Sequence, residues 1–234
     1  MKIGIFNRIG RYEYLWNLLK ERYDVSIINK GETYDVLIYG LLHVDEFIID
    51  HRSNCIVICG RASDWVKEHN RVISLLEDEE FLIDNARITA WGIIEILLRH
   101  SMQCLSDIGV DVIGYGRCGK EIVKLFDALG VRYRVITRSN KYDIPTMYYE
   151  EYLLEKPNAW IIQTAENCIF DKIWVGKFGN STCIIDITTQ FLGTKSIQNE
   201  LITILYAKAL PDIYCSKSGA VAYYQAIQEV LLCV

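Results

Sequence analysis

A chain of 234 residues is long enough for one large domain or two small ones, and 51% of its residues are hydrophobic, so a substantial core can form. The formal net charge of −5 and the scattered basic residues argue against a nucleic-acid partner. No apolar run approaches the roughly 20 residues that span a bilayer, and the start of the chain is unlike a signal peptide. We therefore expect a cytoplasmic protein that binds neither nucleic acid nor a membrane.

The cysteines and histidines give no sign of a disulfide framework or a metal site. Eight cysteines lie mostly inside apolar runs and form no C-x-x-C pair, as expected for reduced thiols that act as small hydrophobic side chains. The four histidines show no metal-ligand spacing. We expect no bound metal.

The first part of the chain alternates short apolar strands with amphipathic helices. A strand is predicted over Lys2–Phe6 and a helix over Tyr12–Tyr23, and the segments VSIIN, DVLIYG and CIVICG are typical of further strands. Strands separated by helices indicate a parallel sheet that is covered on both faces. Residues 1–80 are predicted to form a small, flavodoxin-like α/β domain on the substrate side.

A long helix and a second set of strands follow. Apolar residues recur at helical spacing over Glu79–Met102, and we interpret residues 81–102 as an interdomain helix because it is long for a connector within one sheet. The segments VDVIGYG, RYRVITR, AWIIQTA, CIIDIT and ITILYAKAL then predict the strands of a Rossmann dinucleotide-binding domain over residues 103–218. Residues 219–234 are predicted to form a last helix near the domain junction. The predicted fold class is α/β, with a Rossmann-type doubly wound parallel sheet and a smaller N-terminal domain.

A glycine motif, G-Y-G-R-C-G, lies between the first of these strands and a helical segment. Gly114 would permit a tight turn, Gly116 would let the backbone approach a pyrophosphate, and Gly119 would let the helix pack close to the strand. The helix N-terminus would supply unpaired N–H groups to the phosphates. The same pattern also fits an α/β turn that binds no ligand.

The end of the second strand distinguishes the two nicotinamide cofactors. An NAD site has Asp or Glu about 20 residues beyond the glycines, where it bonds the ribose hydroxyls. This chain has instead Thr137, Arg138, Ser139, Asn140 and Lys141. Arg138 can stack on adenine and pair with a 2′-phosphate, so NADP(H) is favoured over NAD(H).

Polar side chains at the ends of later strands are candidates for a substrate site in the crevice. Lys217 precedes the last helix and could hold a substrate carboxylate, although the pattern equally fits a solvated lysine in a loop. Glu166 and Asp186 could act as acid or base but could also cap helices. The candidate catalytic residues are Lys217, Glu166 and Thr188. Thr164, at the end of its strand, is a candidate cofactor-binding residue.

Four segments carry a resemblance to a known family: NARITAWGIIEIL, the glycine segment VDVIGYGRCGKEIVKLFDALGVRYRVITRS, IIDIT, and ALPDIYCSKSGAVAYYQAI. In their order and spacing they resemble the family formed by the A subunits of dipicolinate synthases. The resemblance runs from Asp84 to the C-terminus. Its more specific part is the T-A-x-G helix start combined with the L-P…K-S loop before the last helix.

This resemblance implies a two-domain dehydrogenase with a fold like that of the D-2-hydroxyacid dehydrogenases. It implies oxidation of a dihydrodipicolinate-type ring with NADP as acceptor, and a flavoprotein-like second subunit. The implied cofactor contacts are Gly114, Gly116, Arg117, Cys118, Gly119, Thr137, Arg138 and Ser139. The implied substrate-side residues are Asn85, Thr89, Lys217 and Ser218. The chain departs from the family in a shorter first domain and in TTQFLGT, which replaces a glycine-rich substrate loop.

The leading hypothesis is an NADP-dependent oxidoreductase that acts on a small carboxylated cyclic imine or hydroxy acid. A second hypothesis is a non-catalytic, nucleotide-binding partner subunit, which the altered TTQFLGT segment favours. A third is a compact dehydrogenase of amino-acid biosynthesis, such as one that forms the pyrrolysine ring. The 15 tyrosines suggest a homo-oligomer interface, although a tyrosine on an amphipathic face is more often packed in the core of its own chain.

Overall fold

The computed structural model describes residues 1–138, 142–166, 175–177, 182–191, 194, 197 and 201–232. The predicted cofactor residue Ser139 and its neighbours Asn140 and Lys141 lie outside the described residues. None of the described helices combines the length and the apolar content that crossing a membrane requires. Within the same residues, no three His, Cys, Asp or Glu side chains are placed to hold a metal ion.

The chain forms two compact units. Unit 1 consists of Met1–Ile88 together with Pro211–Val234, and unit 2 consists of Thr89–Leu210. The boundary at Pro211 differs from the predicted end of the dinucleotide-binding domain at residue 218. The C-terminal segment thus returns to the unit in which the chain began.

Five parallel strands form the sheet of unit 1. They are β1 (Lys2–Ile5), β2 (Asp24–Ile27), β3 (Val36–Ile38), β5 (Ile56–Cys59) and β7 (Arg71–Ser74), in the spatial order β2-β1-β3-β5-β7. This is the strand order of flavodoxin-like folds, as the sequence predicts. Two further strands, β4 (His43–Val44) and β6 (Arg61–Ala62), pair in parallel as a separate ribbon.

Six parallel strands form the sheet of unit 2. They are β8 (Gly109–Ile113), β9 (Arg132–Thr137), β10 (Met147–Tyr148), β11 (Trp160–Gln163), β12 (Thr182–Asp186) and β13 (Ile202–Tyr206). Their order, β10-β9-β8-β11-β12-β13, is that of the Rossmann fold, so the predicted fold class is confirmed. The order reverses between β8 and β11, and ligands of such sheets bind at this switch point.

The described helices are α1 (Arg11–Leu19), α2 (Asp64–His69), α3 (Glu79–Ser101), α4 (Arg117–Leu129), α5 (Tyr149–Tyr152), α6 (Leu210–Ile213) and α7 (Ser216–Leu232). Helix α3 begins in unit 1 and ends in unit 2. Helix α1 ends before the predicted Tyr23, because the N–H groups of Arg22 and Tyr23 both donate to the carbonyl oxygen of Leu19 in a turn that leads into β2.

Helices α1 and α7 cover the sheet of unit 1 with matching apolar faces. Leu15 and Leu19 are four residues apart on α1, as are Tyr223 and Ile227 on α7, and side chains at this spacing share one face of a helix. All four are buried in one cluster with Ile3 of β1. This packing explains why the last helix belongs to unit 1.

A buried carboxylate organises the sheet of unit 2. Asp111 in the middle of β8 is fully buried and accepts two hydrogen bonds from Arg134 of β9, at 2.7 and 2.8 Å. It also accepts from the Tyr152 hydroxyl at 2.7 Å, and from the backbone N–H and the side-chain amide of Asn158 at 2.8 and 2.6 Å. Burial raises the pKa of Tyr152, so its hydroxyl stays a donor. One side chain therefore joins β8, β9, α5 and the loop before β11.

The substitution Asp111→Asn tests this network. It removes the charge that balances Arg134, so we expect the free energy of unfolding to fall by about 3 kcal/mol. Urea unfolding followed by circular dichroism measures the change. The matched control, Glu150→Gln on α5, changes an exposed carboxylate and should stay within about 0.5 kcal/mol of the wild type. Equal stability of the two variants would contradict the role of Asp111.

Candidate functional site

Two glycines of the loop between β8 and α4 are required by the protein itself. At Gly114 φ is 99°, and a Cβ there would lie 2.5 Å from Oγ1 of Thr164. At Gly119 a Cβ would lie 2.2 Å from the carbonyl oxygen of Gly114. Neither position accepts a side chain, so the loop turns tightly and α4 starts directly against the end of β8.

Gly116 is different, because no protein contact explains it. Its φ of −77° is ordinary for any residue, and a Cβ there would meet no atom of the described residues within 4 Å. Gly116 is the N-cap of α4, and no side-chain hydrogen bond from it caps the helix. A glycine at an uncapped helix N-terminus leaves room for a phosphate to reach the unpaired N–H groups and the positive end of the helix dipole. The loop therefore fits a dinucleotide pyrophosphate.

Neighbouring strand ends supply the other predicted cofactor residues. The Thr164 hydroxyl donates to the carbonyl oxygen of Ile113 at 2.9 Å, which ties the end of β11 to the end of β8. Thr137 is buried at the end of β9, and Arg138 is exposed directly after it. Thr164 thus supports the turn, whereas Arg138 is accessible to a ligand.

The first two residues of α4 complete the predicted loop. Arg117 is exposed, and Cys118 is half-buried. Burial raises the pKa of the Cys118 thiol, so the protonated form is favoured and the side chain acts as a small packing group.

An aromatic pair beside the loop escaped the sequence reasoning. The rings of Tyr115 and Tyr142 meet edge to face, with their centroids 4.9 Å apart. The ammonium group of Lys120 lies 6.0 Å from the centre of the Tyr115 ring. In the sequence, Tyr115 stands out because it lies between Gly114 and Gly116. Its partner Tyr142 follows β9, and no local pattern links the two residues.

The candidate acid and base residues hold the loop that follows β12. The carboxylate of Asp186 is fully buried and accepts from the backbone N–H of Thr188 at 2.9 Å and from its hydroxyl at 2.6 Å. It also accepts from the hydroxyl of Thr194. Glu166 accepts from the backbone N–H of Thr189. Through these bonds Asp186, Thr188 and Glu166 stabilise the local structure. The catalytic roles of Glu166 and Thr188 stay predictions.

The predicted substrate-side residues are divided between the units. Asn85, Lys217 and Ser218 belong to unit 1, and Thr89 begins unit 2. Lys217 and Ser218 are exposed in the first turn of α7, and the Lys217 ammonium group lies 5.6 Å from the centre of the Tyr14 ring. Thr89 is buried within α3. Lys217 and Ser218 are thus the exposed members of this set, and Asn85 is half-buried.

Arg11 is a buried cation that the sequence reasoning missed. Its side chain is 4% exposed, its Nη1 donates to Oδ1 of Asn85 at 2.8 Å, and its Nε lies 2.6 Å from Oδ1 of Asp212. The guanidinium also lies 5.6 Å and 6.0 Å from the ring centres of Tyr12 and Tyr223. Burial raises the pKa of the Asp212 carboxyl, although Arg11 opposes this shift. In sequence, an arginine after the first strand looks like an ordinary surface residue.

Comparison with known proteins extends these observations. No family model matches the chain. The chain is 24% identical to the A subunit of dipicolinate synthase from Bacillus subtilis (strain 168) over 194 residues, which are 76% of this chain and 65% of that protein. The match therefore spans less than two thirds of the relative's length.

Solved structures match over almost the whole chain. The A subunit of dipicolinate synthase from Bacillus halodurans superposes with a TM-score of 0.79 at 17% identity, covering 98% of this chain and 97% of that one. The corresponding polypeptide from Bacillus subtilis gives a TM-score of 0.78 at 19% identity, covering 99% and 96%.

More distant structures share the fold at lower similarity. An NAD-complexed D-isomer specific 2-hydroxyacid dehydrogenase from Lactobacillus delbrueckii ssp. bulgaricus has a TM-score of 0.52 at 12% identity, covering 99% of this chain and 96% of that one. An NADPH-dependent glyoxylate/hydroxypyruvate reductase from Sinorhizobium meliloti, in complex with NADP and malonate, has a TM-score of 0.55 at 14% identity, covering 96% and 91%. The chain has the fold of these dehydrogenases, and its predicted resemblance to the A subunit of dipicolinate synthase is confirmed.

Proposed function

We propose that this chain is an oxidoreductase that binds a nicotinamide dinucleotide, prefers NADP(H) to NAD(H), and acts on a small carboxylated cyclic imine or hydroxy acid. The observation that carries the proposal is Gly116, a glycine that no protein contact requires, at the N-terminus of α4. The dehydrogenase folds of the similar structures support the same chemistry.

The glycine loop would hold the pyrophosphate. Gly114 and Gly119 bring the start of α4 to the end of β8, and Gly116 leaves the phosphates room to reach the first-turn N–H groups. When bound, the nicotinamide ring supplies hydride transfer. The contribution of the protein is to fix the position of the cofactor against the substrate.

Arg138 supports the preference for the phosphorylated cofactor. It is exposed directly after β9, where NAD-binding sites carry a carboxylate. A guanidinium pairs with a phosphate through two parallel hydrogen bonds and stacks on a flat ring. A carboxylate at this position would instead repel a 2′-phosphate.

Lys217 and Ser218 support a carboxylate substrate. Both are exposed in the first turn of α7, where the helix dipole adds to the charge of the lysine. We keep Glu166 and Thr188 as candidates for proton transfer, and Asn85 and Thr89 as substrate-side candidates. The similarity to the A subunit of dipicolinate synthase supports two parts of the proposal. One is that the substrate is a ring that carries a carboxylate, and the other is that the chain works with a second, different subunit.

A non-catalytic, nucleotide-binding protein is the second candidate function. The hydrogen bonds between Asp186 and Thr188, and between Glu166 and the backbone N–H of Thr189, favour it, because these side chains already have structural partners. Both candidates require the dinucleotide. A turnover assay with cyclic imino acids and NADPH distinguishes them, because only the oxidoreductase would consume NADPH.

Substitutions in the glycine loop test dinucleotide binding. Gly116→Asp should preserve stability, because Asp is a favoured N-cap, yet abolish binding by charge repulsion and lost space. Gly119→Ala should lower the free energy of unfolding by about 2 kcal/mol or more, because its Cβ would clash with backbone. Thermal melts with and without NADPH measure both effects, and at 100 times its dissociation constant NADPH should add about 2.7 kcal/mol to the wild type. If Gly116→Asp kept the full NADPH effect, the loop would not be the binding site.

Arg138→Gln tests the cofactor preference. Losing a charge-assisted pair of hydrogen bonds should raise the Kd for NADPH about tenfold or more and leave the Kd for NADH nearly unchanged. Titration calorimetry with both nucleotides gives the ratio. Arg132→Gln, an exposed arginine at the start of the same strand, is the matched control. Equal losses for NADPH and NADH would refute the 2′-phosphate contact.

A further inference from the structure

Unit 1 contains a pocket of about 560 Å³ that the proposed function does not use. His43 of β4, Arg61 of β6, Lys67 of α2, Ser74 of β7 and the following Glu77 are among its lining residues. Ser74 is the last residue of β7, and Arg61 comes just after β5. The pocket therefore lies near the carboxyl ends of β5 and β7, at one side of the five-stranded sheet.

The ribbon of β4 and β6 presents two of these side chains together. His43 pairs with Arg61, and Val44 with Ala62. Val44 and Ala62 are buried in an apolar cluster of unit 1, whereas His43 and Arg61 are exposed. Because successive side chains of a strand point to opposite faces, Val44 and Ala62 anchor the ribbon, and His43 and Arg61 lie on its other face. Ala62 also contributes to the pocket lining.

The backbone around Arg61 is firmly held. A Cβ on Gly60 would lie 2.3 Å from the carbonyl oxygen of Leu41, so only glycine fits there. The N–H groups of Gly60 and Arg61 both donate to the carbonyl oxygen of Leu42, at 3.0 and 3.2 Å. The Ser74 hydroxyl donates to the carbonyl oxygen of Gly60 at 2.9 Å. The pocket wall is thus preorganised, which lowers the entropy lost on binding.

One cation beside the pocket, Arg61, has no charged partner among the described residues. Within the described part of the chain, the Arg61 guanidinium forms no hydrogen bond or ion pair. Lys67 has an ion pair with Asp64 at 3.8 Å, and Asp64 is 95% exposed, so this contact is weak. Two cations, Arg61 and Lys67, and one carboxylate, Glu77, line the pocket, so with His43 neutral the formal charge of the lining is +1. A bound anion would supply the unpartnered Arg61 guanidinium with charge-assisted hydrogen bonds.

We propose that this pocket binds a small anion, a carboxylate or a phosphate ester, with Arg61 as its main contact and Lys67 as the second. The planar guanidinium matches either group through two hydrogen bonds. None of the residues that line this pocket is among those proposed to hold the dinucleotide or the substrate, so the site is additional to the proposed function.

Titration calorimetry without nucleotide tests the site independently of the proposed function. Inorganic phosphate and malonate are titrated separately into the full chain, each against sodium chloride at matched ionic strength. Binding of phosphate alone identifies a phosphate ester as the ligand class, and binding of malonate alone identifies a carboxylate. Binding of both supports a site that accepts either group.

Two variants show whether the pocket is responsible. Arg61→Gln should raise the Kd for the bound anion about tenfold or more. Lys30→Gln, an exposed cation elsewhere in unit 1, should leave the Kd within about twofold, as expected for a distant surface charge. Melting curves of both variants verify that they fold. The proposal is overturned if neither anion binds more strongly than chloride, or if Arg61→Gln binds as well as Lys30→Gln.

Discussion

The close approach of Gly119 to the carbonyl oxygen of Gly114 sets the geometry on which unit 2 depends. With a space of only 2.2 Å between that oxygen and a hypothetical Cβ, the first turn of α4 can rest on the end of β8 only if residue 119 is glycine. This contact places the helix N-terminus at the edge of the sheet where the strand order reverses. The positive end of the α4 dipole therefore lies at the switch point of the sheet, where Rossmann folds bind their ligands.

Each unit also contains a buried ionic group that joins segments far apart in the chain. Asp111 in unit 2 is balanced by Arg134 and receives further hydrogen bonds from Tyr152 and Asn158. Arg11 in unit 1 is balanced by Asp212 and donates to Asn85. Burying a charge is costly, and the cost is offset only where several partners are present in the correct places. Such groups therefore favour one arrangement of the segments over others.

The two proposed sites use binding groups of different kinds. In unit 2 the groups are backbone N–H donors, which glycines expose at a helix N-terminus. In unit 1 they are the side chains of Arg61 and Lys67, which a two-residue ribbon and a short helix present. Both lie near the carboxyl ends of parallel strands, where the loops that run from a strand to the next helix are found.

The sequence by itself determined the strands and the glycine loop and predicted the cofactor preference, because these depend on local patterns: apolar runs of strand length, the spacing of Gly114, Gly116 and Gly119, and the residue after β9. The motif spacing also assigned phosphate approach to Gly116 and helix packing to Gly119, whereas the 2.2 Å gap that excludes a side chain at Gly119 is a property of the packed structure. It also placed residues 211–218 in the second domain, because they follow a strand of that sheet. Their membership of unit 1 depends on the pairing of Arg11 with Asp212 and on the contact of α1 with α7. These interactions join residues about two hundred positions apart, and only tertiary packing brings such residues together.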